Sequence, residues 1–89
     1  MTRIECTPSQ QKVFADFLEQ RTKLLIEKKR RFMDTLERAG EVCKDDKYRD
    51  FRRKAEQTAL ALDAFRRTAD RYVDYLRRKA AAGERYLGK

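Results

Sequence analysis

Residues 48–76 read YRDFRRKAEQTALALDAFRRTADRYVDYL in one-letter code, a run free of glycine and proline. Its apolar positions recur at alternating spacings of three and four. Tyr48, Ala55, Leu62, Ala69 and Leu76, continued by Gly83, hold one position; Phe51, Thr58, Phe65 and Tyr72, continued by Lys79 and Tyr86, hold the other. That alternation keeps one stripe of a helix turned toward a partner helix. The run therefore predicts a helix over residues 46–82, with residues 83–89 as a loose tail beyond Gly83. The mixture of small and large seam residues suits a bundle better than a two-stranded zipper.

Upstream, Thr7-Pro8-Ser9-Gln10 has the form of a helix start: Thr7 as N-cap, Pro8 at the first helical position and Gln10 at the capping-box position. No glycine or proline follows until Gly40, which is placed to end the helix in a left-handed cap. On a helical wheel Phe14, Phe17, Leu18, Leu25, Phe32, Leu36 and Ala39 share one stripe. A first helix over residues 8–39 is expected, about 48 Å long at ~1.5 Å per residue. Residues 40–45 connect the two, and Asp45 or Asp46 caps the second. So short a connection makes the helices antiparallel. Counted outward from the turn, Leu36 meets Phe51, Phe32 meets Ala55, Leu25 meets Leu62, Leu18 lies beside Phe65, and Phe14 reaches Tyr72.

The expected fold is all-α: one antiparallel two-helix hairpin domain over residues 1–89, pairing into a four-helix bundle. A lone pair of helices leaves part of each apolar stripe uncovered. Val13, Leu24, Leu60, Val73 and Tyr75 lie off the seam and are candidates for a second contact.

Composition excludes several chemistries. With 89 residues, the chain is of single-domain size. Charged residues make up 43% of it, aromatics only 10%, and histidine is absent. The absence of histidine removes the commonest general base and the commonest metal ligand together. The carboxylates alternate with Lys and Arg on helix exteriors, as in Glu19/Lys23, Glu27/Arg31, Asp50/Lys54 and Asp63/Arg67, and no glycine-rich loop forms a pocket. The expectation is a protein that is not an enzyme, with no cofactor, metal or small-molecule substrate. Cys6 and Cys43 fall at opposite ends of the hairpin, too far apart for an intramolecular disulfide. No stretch approaches a transmembrane span, and Met1–Cys6 lacks the apolar core of a signal peptide. The expected location is cytoplasmic, with export that needs no cleaved signal left open.

The net charge of +8 draws attention to acidic partners. Lys28, Lys29, Arg30 and Arg31 fall near Arg52, Arg53 and Lys54 across the hairpin. These seven are the candidate contacts for a nucleic acid, whose phosphates reward such charge. Four consecutive basic residues nevertheless point in four directions around a helix, and Glu27, Asp34 and Glu56 lie among them.

The layout resembles the Trp-x-Gly (WXG-type) helical hairpins associated with type VII secretion. The likeness begins at the turn, Val42-Cys43-Lys44-Asp45, and continues through Tyr48-x-x-Phe51, Leu62-x-x-Phe65-x-x-x-Ala69-x-x-Tyr72 and Tyr75-Leu76. Cys43 stands at the family's tryptophan position and Asp45 at its glycine. The resemblance implies two antiparallel helices that pair with another such hairpin. Residues and resemblance together lead to one expectation: an interaction module that self-associates as a homodimer or docks a helical protein partner. Phe14, Phe17, Leu18, Leu25, Phe32, Leu36, Phe51, Leu62, Phe65, Tyr72 and Leu76 form its core and interface. The alternative is a basic hairpin that binds nucleic acid.

Overall fold

A computed structural model describes residues 7–86, so Cys6 and the end of the expected tail lie outside the described residues. The fold is all-α. Helix α1 spans Pro8–Gly40 and helix α2 spans Asp46–Tyr86, packed against each other, with no strand among the described residues. No helix among them is long and apolar enough to cross a membrane.

Local chemistry accounts for where each helix begins. The Gln10 side-chain oxygen accepts from the Thr7 N–H at 2.9 Å, and the Thr7 hydroxyl accepts from the Gln10 N–H at 3.1 Å. This reciprocal pair satisfies two groups that a helix start leaves orphaned. Asp45 caps α2, its carboxylate accepting from the Tyr48 N–H at 2.8 Å, while Asp46 pairs with Arg49 at 2.9 Å.

Both glycines at the helix ends act differently from expectation. Gly40 is the last residue of α1. A Cβ built there would lie 2.7 Å from Cζ and 2.9 Å from Cε2 of Tyr48, so the missing side chain makes room for that ring. The Tyr48 hydroxyl then donates to the Leu36 carbonyl at 2.5 Å, tying the first turn of α2 to the last turns of α1. Loss of that bond in Tyr48→Phe should lower stability by about 0.5–1.5 kcal/mol, read as a shift in the urea midpoint. Gly83 does not end α2, which continues to Tyr86. A Cβ at Gly83 would sit 2.9 Å from Cγ of Pro8, so this glycine lets the start of α1 approach the second helix.

Packing divides the chain into two compact units. One pairs residues 7–22 with 68–86; the other is Lys23–Arg67, which includes the connection. The core of the first consists of Ala15, Val73 and Leu76, with Leu18 packed against it, and Ala69 and Ala80 are buried in the same unit. Ala15 and Ala80 have no exposed surface at all. Gln11 and Thr22 are buried too, and the Thr22 hydroxyl donates back to the Leu18 carbonyl at 2.7 Å. In the second unit Ile26 and Leu36 are buried, and Leu25, Met33, Ala55, Ala59 and Leu62 partly so.

The expected seam is therefore half right. On α2 the position held by Tyr48, Ala55, Leu62, Ala69, Leu76 and Gly83 is turned inward throughout. The position assigned to Phe51, Thr58, Phe65, Tyr72, Lys79 and Tyr86 is exposed throughout, and its place is taken by Ala59, Val73 and Ala80. On α1, Leu36 is buried and Leu18 and Leu25 partly so, but Phe14, Phe17, Phe32 and Ala39 are exposed. Val73, expected off the seam, belongs to the core. Small residues line the inside because they let two helix backbones come close, and that leaves no room for phenylalanine between them.

Candidate helix-docking faces

In the unit of residues 7–22 and 68–86, the two flanks of the seam differ in chemistry. One flank is ionic. Arg77 grips Glu19 with both guanidinium nitrogens, at 3.1 and 3.2 Å, and reaches Asp16 at 3.0 Å. Hydrogen bonds to Glu19, then to Asp16, hold the Arg77 pKa above its already high ordinary value. Lys12 pairs with Glu84 on the same unit. Glu19, expected to serve Lys23 along α1, is thus drawn across to α2.

The other flank is aromatic. Phe14 meets Tyr72 edge-on, with centroids 6.0 Å apart and planes at 75°, and Tyr72 stacks on Tyr75 at 6.0 Å. Phe14 and Tyr72 are 42% and 44% exposed. Arg21 lies over the Phe17 ring, 5.1 Å from its centroid, and the Lys79 ammonium lies 5.6 Å from that of Tyr75. Arg21 is held on a ring face, where the quadrupole attracts it, whereas Lys79 donates to the Tyr75 hydroxyl at 3.2 Å.

In the unit Lys23–Arg67 the two helices enclose an open groove of about 400 Å³. Leu25, Phe32, Met33, Phe51, Ala55 and Leu62 supply its apolar walls. Lys28, Lys29 and Lys54 stand among them. Alanine at 55 and 59 keeps the floor low, while Phe32 and Phe51, about half exposed, rise on opposite helices. Phe65, Leu24 and Leu60 of this unit are also exposed.

The seven candidate cations do not converge on one surface. Lys29 crosses to Asp63 at 2.7 Å, Arg31 pairs with Glu27 at 2.7 Å, Arg52 with Glu56 at 2.9 Å and Arg53 with Asp50 at 3.6 Å. Arg30 lines a separate depression with Lys23, Ile26, Glu27 and Arg66. Lys28 and Lys54 remain on the apolar groove. Asp63 was expected to pair with Arg67 along α2; its bond to Lys29 ties the two helices together instead.

The hydrogen bond from Lys29 holds the Asp63 carboxyl below its ordinary pKa, aided by the charges of Lys29, Arg67 and Arg66. A depressed folded-state pKa stabilises the fold above the ordinary carboxylate range, and the effect is lost as pH falls through the folded value. Wild type should therefore lose stability on acidification below about pH 4 more steeply than Asp63→Asn, as checked by urea midpoints across that range.

Cys43 is exposed, and no cluster of three His, Cys, Asp or Glu side chains among the described residues could hold a metal ion. The exposed aromatics are what hydropathy reading placed on the wrong side of the seam. The signal that could have found them is the alanine at positions 15, 59, 69 and 80, spaced for close helix approach. No family model, curated protein or solved structure matches this chain.

Proposed function

We propose that the chain is a non-enzymatic helical interaction module that self-associates through the aromatic flank of the unit of residues 7–22 and 68–86. The observation that carries this reading is the half-exposed cluster of Phe14, Tyr72 and Tyr75 beside a seam already filled by alanine, valine and leucine. Rings of that size bury large areas when a second surface covers them, and nothing inside the unit does so. The cations on this flank already have partners, Arg21 on the Phe17 ring face and Lys79 at the Tyr75 hydroxyl. Pairing of two hairpins in the four-helix manner of the Trp-x-Gly family fits this reading, as does docking of a helical partner of another sequence. Binding to nucleic acid is less well supported, since four of the seven candidate cations are engaged by carboxylates.

The test is the mass of the purified chain in solution, measured with its helicity. Wild type should be dimeric at micromolar concentration, and Phe14→Ser with Tyr72→Ser should be monomeric with unchanged helical content. A wild-type chain that stays monomeric and fully helical at high concentration contradicts the reading. Sub-micromolar binding of random RNA at physiological salt, lost on replacing Lys28, Arg30 and Lys54 by Gln, would favour the nucleic-acid alternative instead.

A further inference from the structure

We infer that the groove of the unit Lys23–Arg67 is a docking site for an acidic amphipathic helix contributed by a different protein. The inference rests on the reading of the chain as a helix-docking module and adds the identity of one occupant. Three features of the groove lead to it.

The first is shape. The groove runs between two helices, with Phe32 on one wall and Phe51 on the other, over a floor of Ala55 and Ala59. At about 400 Å³ it has room for two or three aliphatic side chains presented at successive turns. A third helix lying in the valley between two others presents its anchors in that way.

The second is charge. Lys29 is engaged by Asp63, but Lys28 and Lys54 have no carboxylate within ion-pair distance among the described residues. Asp50, the neighbour four residues before Lys54, pairs with Arg53 instead. Two ammonium groups beside an apolar trough select a ligand with apolar anchors and flanking carboxylates.

The third feature disfavours a second copy. The acidic side chains nearest the chain's own seam, Asp16, Glu19 and Asp63, are held by Arg77 and Lys29. The cations beside its exposed apolar residues are Arg21, Lys28, Lys54 and Lys79. A second copy, with its net charge of +8, would bring excess positive charge toward Lys28 and Lys54. The occupant therefore carries the opposite charge pattern.

The experiment uses the full chain and two synthetic amphipathic peptides of about five helical turns. Both have leucine at every third or fourth position; one carries glutamate elsewhere and the other lysine. Fluorescence anisotropy should show binding of the leucine–glutamate peptide and not of the leucine–lysine peptide. Lys28→Glu with Lys54→Glu should weaken the first by at least about tenfold and confer binding of the second. Both lysines are exposed, so the fold should survive, and circular dichroism checks it.

Equal binding of both peptides overturns the inference, as does no binding of either up to about 100 micromolar. It also falls if the two lysines instead govern binding to RNA or to anionic phospholipid vesicles while the acidic peptide is ignored. A chain that ignores the acidic peptide yet dimerises through Phe14 and Tyr72 sinks this inference alone. A chain that remains monomeric but binds the acidic peptide through Lys28 and Lys54 sinks the self-association reading alone.

Discussion

Leu76→Ala should destabilise the fold by about 2–5 kcal/mol, while Phe65→Ala, which removes a larger side chain, should cost less than about 1 kcal/mol. Leu76 is 4% exposed and is packed with Ala15 and Val73, so its removal leaves a cavity between two helices. Phe65 is half exposed, and much of its ring is already in water. The comparison reverses what hydrophobicity alone suggests, because the larger side chain is the cheaper one to lose. Urea unfolding with unchanged slope and shifted midpoint measures both. Equal costs, or a larger loss at Phe65, would show that the second seam position is occupied by the aromatics after all.

The second large effect runs in the opposite sense, from small to large. Ala15→Leu should cost about 1–3 kcal/mol, since Ala15 has no exposed surface and the added atoms must push Val73 or Leu76 aside. Ala61→Leu is the control. Ala61 lies on the exposed side of α2, and leucine is a good helix former, so the change should stay within about 0.5 kcal/mol of neutral. If both substitutions are neutral, the helices are not held close by small residues, and the exposed aromatics need a different explanation.

Much of this architecture was legible in the residues. Thr7 and Gln10 announced a reciprocal cap and make one. The 3–4 spacing from Tyr48 onward gave a single long helix and one correct inward position, that of Ala55, Leu62, Ala69 and Leu76. The second inward position was misread for a physical reason. Hydropathy weights phenylalanine above alanine, so a wheel centred on Phe14, Phe32, Phe51 and Phe65 turns toward the large residues. Close helix approach depends on volume instead, and it selected Ala15, Ala59 and Ala80. Two buried polar residues compounded the error, because Thr22 satisfies its hydroxyl on the Leu18 carbonyl and so enters a seam where an apolar residue is expected. Gly83 was read as a breaker, and its role as a contact for Pro8 depends on the other helix.

The candidate site was legible only in its ingredients. Lys28, Lys54, Phe32 and Phe51 were all singled out, but the cations and the aromatics were assigned to rival functions. Geometry joins them in one groove. Sequence could not reveal that Lys29 is neutralised by Asp63 or that Arg52 and Arg53 find carboxylates along α2, because a residue with several acidic neighbours can choose any of them.

The chain keeps its small residues inside and leaves its large aromatics at the surface, where the proposed docking would cover them. Nuclear magnetic resonance with a soluble paramagnetic probe, run as a dilution series, tests it most directly. In dilute protein the Ala15 and Ala80 methyls should be shielded from the probe, while the Phe14, Phe51 and Tyr72 rings relax strongly. As concentration rises, Phe14 and Tyr72 should become shielded with no change at the alanines. Rings shielded at every concentration, with the Ala15 and Ala80 methyls open to the probe, would contradict the account.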